Sequence, residues 1–396
     1  MSKGNAVNVY VTTDTTPNPP ESWEILLIST KGAKPFKFYR DAKSVKKDFP
    51  STFEDITDPY TNETVNVEKY NRTYRQAKAI FDQNPTTAQG MVARIQIVGI
   101  DTPATPEGLL YAIEDIQEEH NDWQVFMTDM EEIEYIQACS AWADSTELSE
   151  AQINSGIEEY PKQYFARYFL DESTKADFFD DLESGNIVFN SSRGSVHVVT
   201  NEDEELAAAI YADIAAHYPI HTTAKFKVLE GITPADLKKT ERDILEAYNL
   251  NYYKKEYKRV LFREGVCTNG QYIDINISRD YIVKSIRERL YDLLQRYSVV
   301  PYTNGGFSLA GDAVAGGIRD AFDNGMVAPN EDNQPHFEMQ VPRREDATRD
   351  ESLNRVMPKI RFVAMATGAI HQVAVSGVLS ADMSRNLQTY ISLGYL

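Results

Sequence analysis

The chain has 396 residues, 42% of them hydrophobic and 25% charged, enough for two or three domains with real cores. Its 40 basic and 60 acidic residues leave a net charge of −20, which excludes general nucleic-acid binding because that needs a basic surface. No apolar run approaches the ~20 residues that cross a bilayer, so no membrane partner is expected.

The opening MSKGNAVNVYVTTD lacks the apolar core of a secretory signal, and Cys139 and Cys267 lie far apart outside any C-x-x-C. Both features fit a protein made in a reducing cytoplasm. The charge is uneven. Residues 251–396 hold 18 basic and 17 acidic side chains, leaving 22 and 43 for residues 1–250. An acidic part that faces solvent beside a neutral part that faces partners would produce this, as would plain solubility.

Residues 6–13, AVNVYVTT, alternate like a half-buried strand, with Val7, Val9 and Val11 on one side and Tyr10 on the other. TTPNPPES then reads as an extended linker, so residues 1–22 form an N-terminal arm. WEILLIST predicts a strand, YRDAKSVKKDF and RTYRQAKAIFDQNP two helices, and MVARIQIVGI a strand. Residues 51–66 read as a surface insertion, and 23–104 as a small α+β unit. From 105 to 230 strand and helix alternate regularly: WQVFMTD, QYFARYFLDE, SVHVVTN and AKFKVLEG as strands, each following a helical pattern. That order predicts an α/β domain with a parallel or mixed sheet.

The remainder changes character. TPADLKKTERDILEAYNLNYYKKEY reads as mostly helical, and RVLFREGVCTNGQYIDINIS as a hairpin turning at Asn269-Gly270. SRDYIVKSIRERLYDLLQRY is an amphipathic helix, residues 308–323 are a second helix, and 360–380 read as two strands about Thr367-Gly368. Residues 231–387 are taken as one C-terminal unit. The closing TYISLGYL, with Tyr390, Ile391 and Leu393, is an extended apolar arm over 388–396.

Gly311 and Gly316 in GDAVAGGIRD have P-loop spacing, but Gly317 and Ile318 occupy the lysine and hydroxyl positions that phosphate and magnesium require. Glycine inside a helix costs ~1 kcal/mol against alanine, so Gly311, Gly316 and Gly317 are expected at a close helix crossing. Asp129 and Asp171 end predicted strands, where open α/β sheets bind ligands, yet no glycine fingerprint accompanies them and helix capping is the default. Pro219 interrupts the His217/His221 pair, and neither an H-E-x-x-H nor a G-x-S-x-G is present. The run EDEE (202–205) is placed to favour a helix dipole. No cofactor, metal or catalytic residue is therefore assigned. Two basic groups, Lys284, Arg287, Arg289 and Arg296, and Arg343, Arg344, Arg349 and Arg355, are candidates for an acidic partner. Strand-like segments at both ends expose unpaired backbone unless they add to a sheet in their own chain or in a neighbour's.

The order and spacing of WEILLIST, YRDAKSVKKDF, YRQAKAIFDQNPTTAQGMVARI, AKFKVLEGITPADL, LNYYKKEYKRVLFREGVCTNGQYIDI, VVPYTNGGFSLAGDAVAGGIRDAFDNGMVA and IRFVAMATGAIHQVAVSGVL resemble the contractile tail sheath proteins of tailed bacteriophages. The stretch 223–327 carries the likeness most specifically; 51–66 and 145–160 depart from it. The resemblance implies a multidomain α/β and α+β chain. Its core assembly domain would combine the N-terminal strand with the C-terminal third, with an α/β domain inserted and facing outward. It implies a structural virion protein, not an enzyme, forming six-fold rings stacked helically around a tail tube. Its partners would be itself, the tube protein, and baseplate and tail terminator proteins. Contraction would drive the tube through the host envelope without nucleotide. It also implies that arms 6–13 and 388–396 add strands to neighbouring subunits, and that the tube-facing surface lies in the C-terminal domain. The two basic groups are candidates for that surface on physical grounds. The alternatives are a tube or baseplate protein, or an α/β nucleotide- or metal-binding enzyme using Asp129 and Asp171.

Overall fold

The structure, a computed structural model, describes residues 23–57, 64–83, 92–147, 161–256 and 258–371. The first elements are β1 (Ile25–Ser29), β2 (Lys34–Tyr39), α1 (Ala42–Asp48), β3 (Thr52–Thr57), β4 (Thr64–Lys69), α2 (Arg72–Asp82) and β5 (Ile95–Gly99). There follow α3 (Pro106–Glu119), β6 (Val125–Thr128), α4 (Ile133–Ser145), β7 (Gln163–Phe169), α5 (Lys175–Ser184), β8 (Gly194–Val199) and α6 (Leu206–His217). The last are α7 (Lys239–Ala247), β9 (Asn251–Glu256), β10 (Arg259–Arg263), α8 (Ile273–Arg296), α9 (Asn304–Asp323), β11 (Phe337–Gln340), α10 (Arg349–Asn354) and β12 (Arg361–Ala364).

Eight strands form one sheet in the order β10-β9-β8-β7-β6-β1-β5-β2. The six inner strands, β9 to β5, are parallel, and β10 and β2 close the two edges antiparallel. The inner strands are buried on both faces; ILLIS, IQIVG, VFMT and GSVHVV have no exposed residue, as a helix-covered parallel sheet requires. Alternation divides them. Ile25 and Leu27 enter a core with Val45 of α1, Ala77 and Ile80 of α2 and the buried α6, while Leu26 and Ile28 enter another with α3, α4, α5 and α7. Each side chain so buried contributes roughly 1.5–3 kcal/mol. The first core continues without a break through Phe262, Ile273 and Ile277 to Val314 and Ile318, which seats α8 and α9 against the sheet body.

Both sheet edges are blocked. Strand β2 carries Pro35, Lys34, Lys37 and a register shift, which discourage pairing with another chain. Along β10, the Phe262 N–H donates to Lys227 O (3.0 Å) and Phe262 O accepts from Phe226 N–H (3.1 Å).

Several local expectations differ from the structure. AKFKVLEG is joined to β10 by those two backbone bonds and is not a strand. Residues 251–256 of the stretch read as helical are β9, whose Tyr252 and Tyr253 are fully buried. The expected hairpin at Asn269-Gly270 shrinks to a bridge between Val266 and Tyr272, because β10 pairs back to β9 and QYIDINIS opens α8. Insertion 51–66 falls on the β3–β4 hairpin. The sheet draws strands from 25–39, 95–99, 125–199 and 251–263, so it runs through the boundaries expected at 104/105 and 230/231. Segments 6–13 and 388–396, with Val7, Val9, Tyr10, Val11, Tyr390, Ile391 and Leu393, lie outside the described residues.

Candidate assembly surfaces

Helix α9 starts where Thr303 accepts from Gly306 N–H (3.3 Å) and packs along α8. The three glycines do different things. A Cβ on Gly317 would stand 2.7 Å from Ile286 N and 2.8 Å from Ile286 Cα, so this residue marks the point where the α8 backbone passes. Gly311 faces Val341 instead, with Cγ2 2.5 Å from the same hypothetical atom. Gly316 is not at the crossing: its nearest neighbour is the flexible end of Arg289, at ordinary contact distance of 3.6 Å. The helical register explains the split, since adjacent residues point ~100° apart and only one of the pair can face α8.

The basic groups also separate. Arg289 lies across α9, its Nε and Nη2 donating to the two oxygens of Asp320 at 2.8 and 2.5 Å, and it holds that carboxyl below the usual carboxylate range. It braces the helix pair and is not available to a partner. Lys284 sits 3.9 Å from Glu288, a weak exposed pair, and Arg287 is half-buried with a partner of its own. Arg296 is exposed in the last turn of α8, where a cation suits the helix dipole. Arg343, Arg344, Arg349 and Arg355 are all exposed and make no ion pair among the described residues. They surround α10, and Arg344 N–H donates to Asn304 Oδ1 at 2.6 Å, tying the segment to the start of α9.

Among the described residues, strands β11 and β12 pair only with each other, antiparallel from Phe337–Ala364 to Gln340–Arg361. A two-stranded sheet is marginal by itself. Around it Val363, Met365 and Ile370 are 76%, 56% and 77% exposed, and Leu353 and Val356 are exposed nearby. Among the described residues, no third strand joins this sheet and apolar side chains lie exposed around it.

The strands β5-β1-β6-β7-β8-β9 run in the order 2-1-3-4-5-6, which places the topological switch between β1 and β6. Asp129 is there, but its buried carboxylate accepts from Thr30 N–H (2.9 Å), Thr30 Oγ (2.7 Å) and Ser29 Oγ (3.3 Å). It ties the end of β1 to β6. Asp171 accepts from Ser173 N–H and Oγ, both at 2.7 Å, in a turn before α5. Neither caps a helix; the N-caps of α4 and α5 are Glu132 and Thr174. Burial pushes both cysteine thiols up to about 12. Among the described residues, no group of three or more His, Cys, Asp or Glu is placed to hold a metal ion.

Two ionic clusters escaped the sequence reading because their members are far apart in the chain. Glu205, from the EDEE run, is buried among Arg72 (3.3 Å), Arg75 (3.4 Å) and Arg167 (3.8 Å), with Glu131 3.0 Å from Arg72. At the other end of the sheet, fully buried Arg193 donates two bonds to Asp280 (2.5 and 2.8 Å) and one to Glu147 (2.7 Å), while Arg279 also meets Glu147. This clasp fastens α8 to the start of β8. The only sequence signal for either was an arginine inside an otherwise buried stretch.

The described residues thus form one doubly wound sheet, a long helix pair and a two-stranded sheet. No protein-family model and no curated protein matches the sequence. Solved structures do. A chain of the 6-fold-symmetrised baseplate of the anti-feeding prophage superposes with TM-score 0.62 at 12% identity, over 94% of this chain and 98% of that one. The helical sheath of the same particle in its contracted state gives 0.59 at 12%, over 95% and 99%. The contracted PVC sheath complex of an extracellular contractile injection system gives 0.58 at 9%, over 96% and 99%. The chain has the fold of contractile sheath proteins along nearly its whole length.

Proposed function

We propose that this chain is the structural subunit of a phage-type contractile tail sheath. Copies join as six-membered rings stacked around a tail tube, and their collective rearrangement drives the tube through the host envelope. The observation that carries this reading is the β11–β12 sheet, which gains no third strand among the described residues and has an exposed apolar surround, in a chain whose fold matches those of two contracted sheaths over 95% and 96% of its length. An added strand would satisfy the free backbone groups and cover Val363 and Met365. The arms 6–13, which alternate, and 388–396, which are extended and apolar, are the segments that suit that role.

In this reading the sheet with its helices is the outward body, and α8, α9, α10 and β11–β12 form the assembly unit. Exposed Arg296, Arg343, Arg344, Arg349 and Arg355 are the basic side chains left to face an acidic tube; Arg289 is already committed to Asp320. The chain acts as a virion component without chemistry of its own. Removal of residues 1–16 or 388–396 tests the reading. Each truncated chain should remain folded and monomeric; normal tubes from both would sink it. The likeness to a chain from a baseplate favours a second reading, a baseplate component, which would yield rings but no extended cylinders.

A further inference from the structure

Among the described residues, the segment after β12 returns to the body at Met365, which bonds to Ala328 and His336, and again at Thr367 and His371. Thr367 N–H donates to Met326 O (3.0 Å), Ile370 stands in solvent, and His371 then inserts its ring beside the first turn of α8. Its Nε2 lies 3.1 Å from Thr223 Oγ, and its ring meets Tyr272 edge-on at 4.7 Å. Asp274, 6% exposed, shares this pocket and the Thr223 hydroxyl. So does His221, whose Nδ1 is 3.4 Å from Ser278 Oγ and whose backbone N–H donates to Asn324 O. His371 Nδ1 and His221 Nε2 are both buried without a hydrogen-bond partner. Two imidazoles and a carboxyl thus occupy one desolvated site with two ring nitrogens unsatisfied, an expensive arrangement unless it does something.

We propose that His371 is an acid-released anchor: it docks the start of the C-terminal segment on Thr223, Tyr272 and Asp274 when neutral, and lets it go when protonated. This goes beyond the assembly reading and does not depend on it.

The charges around the ring come from every element packed against it. Lys225 and Arg263 face it as cations, and Asp274 and Glu264 as acids, with Lys225 paired to Glu264. Desolvation, then Lys225, hold the docked imidazole below its ordinary value, outweighing the two acids. A released imidazole titrates near 6.5. Between these two values the released form binds more protons, so acid favours release and neutral pH favours docking. Asp274 titrates the other way, because burial raises its carboxyl. Once protonated, however, it no longer offsets a charge on His371.

The test is hydrogen exchange of backbone amides in residues 365–371 of the full chain at pH 7.5 and 5.5, corrected for intrinsic rates. The pH effect tracks His371, so protection should fall by up to about tenfold at the lower pH, one unit below the free imidazole's pKa. His371→Gln keeps a neutral partner for Thr223 and should show equal protection at both values. Asp274→Asn should still release with acid. His371 is half-buried near the end of the described chain, so its replacement leaves the cores intact. Unchanged protection in the parent chain, an equal acid loss in His371→Gln, or loss of the effect in Asp274→Asn with His371 intact would each overturn the proposal.

Discussion

Gly316 and Gly317 are neighbours in one helix, yet alanine at the two positions should change stability in opposite directions. The intrinsic term is the same: alanine is better than glycine in a helix interior by ~1 kcal/mol. The packing terms differ. At 316 a methyl meets only the movable end of Arg289 at 3.6 Å, so most of the gain survives. At 317 it would lie 2.7–2.8 Å from the backbone and Cγ1 of Ile286, against a lower edge of 3.4 Å for ordinary contact. Backbone cannot rotate aside, so α8 and α9 must part by roughly 0.6 Å, which forfeits part of the dispersion energy along the seam. Overpacking of this kind costs about 1–3 kcal/mol. Gly316→Ala should then be more stable than the parent by up to ~1 kcal/mol, and Gly317→Ala less stable by about 1–2 kcal/mol. Urea unfolding followed by far-ultraviolet circular dichroism reads both as midpoint shifts at constant slope. If both variants are stabilised alike, the close crossing at Gly317 is wrong.

Two further outcomes follow from buried charges. His197 is fully buried between Phe165 and Phe262, and burial lowers its imidazole to about 4; the unfolded chain therefore takes up one extra proton between pH 6.5 and 4. Folding should lose roughly 3 kcal/mol across that window from this residue alone, and His197→Phe should flatten the curve of urea midpoint against pH; an unchanged slope would reject the assignment. Arg193→Met strips the clasp and leaves the partly exposed Asp280 and Glu147 with only Arg279 beside them, a loss of about 1.5–3 kcal/mol; thermal unfolding should move down by several degrees, and restoration by the companion change Asp280→Asn should be partial.

The alternating strands and helices between 105 and 217 were legible because each apolar run has a clear period and polar ends. The same logic misled at 271–278. Ile273, Ile275 and Ile277 alternate like a strand, yet Ile273, Ile277 and Tyr281 also fall at helical spacing, and the long α8 wins by burying that second set. Tyr252-Tyr253 was hidden because Lys254, Lys255 and Glu256 suggest helix, while pairing to β8 needs only a short strand. The close approach at 317 was legible from composition, but which of two glycines faces it was not, since register depends on α8. Asp129 shows the limit most plainly. Sequence placed it correctly at a strand end; only the fold reveals that Thr30 and Ser29 consume its oxygens.

The central claim is that the chain polymerises as a sheath, and negative-stain electron microscopy of the purified full-length protein tests it directly. The account predicts hollow, transversely striated cylinders with a six-fold end view. Monodisperse particles or isolated rings, under conditions where the protein is folded and concentrated, would contradict it.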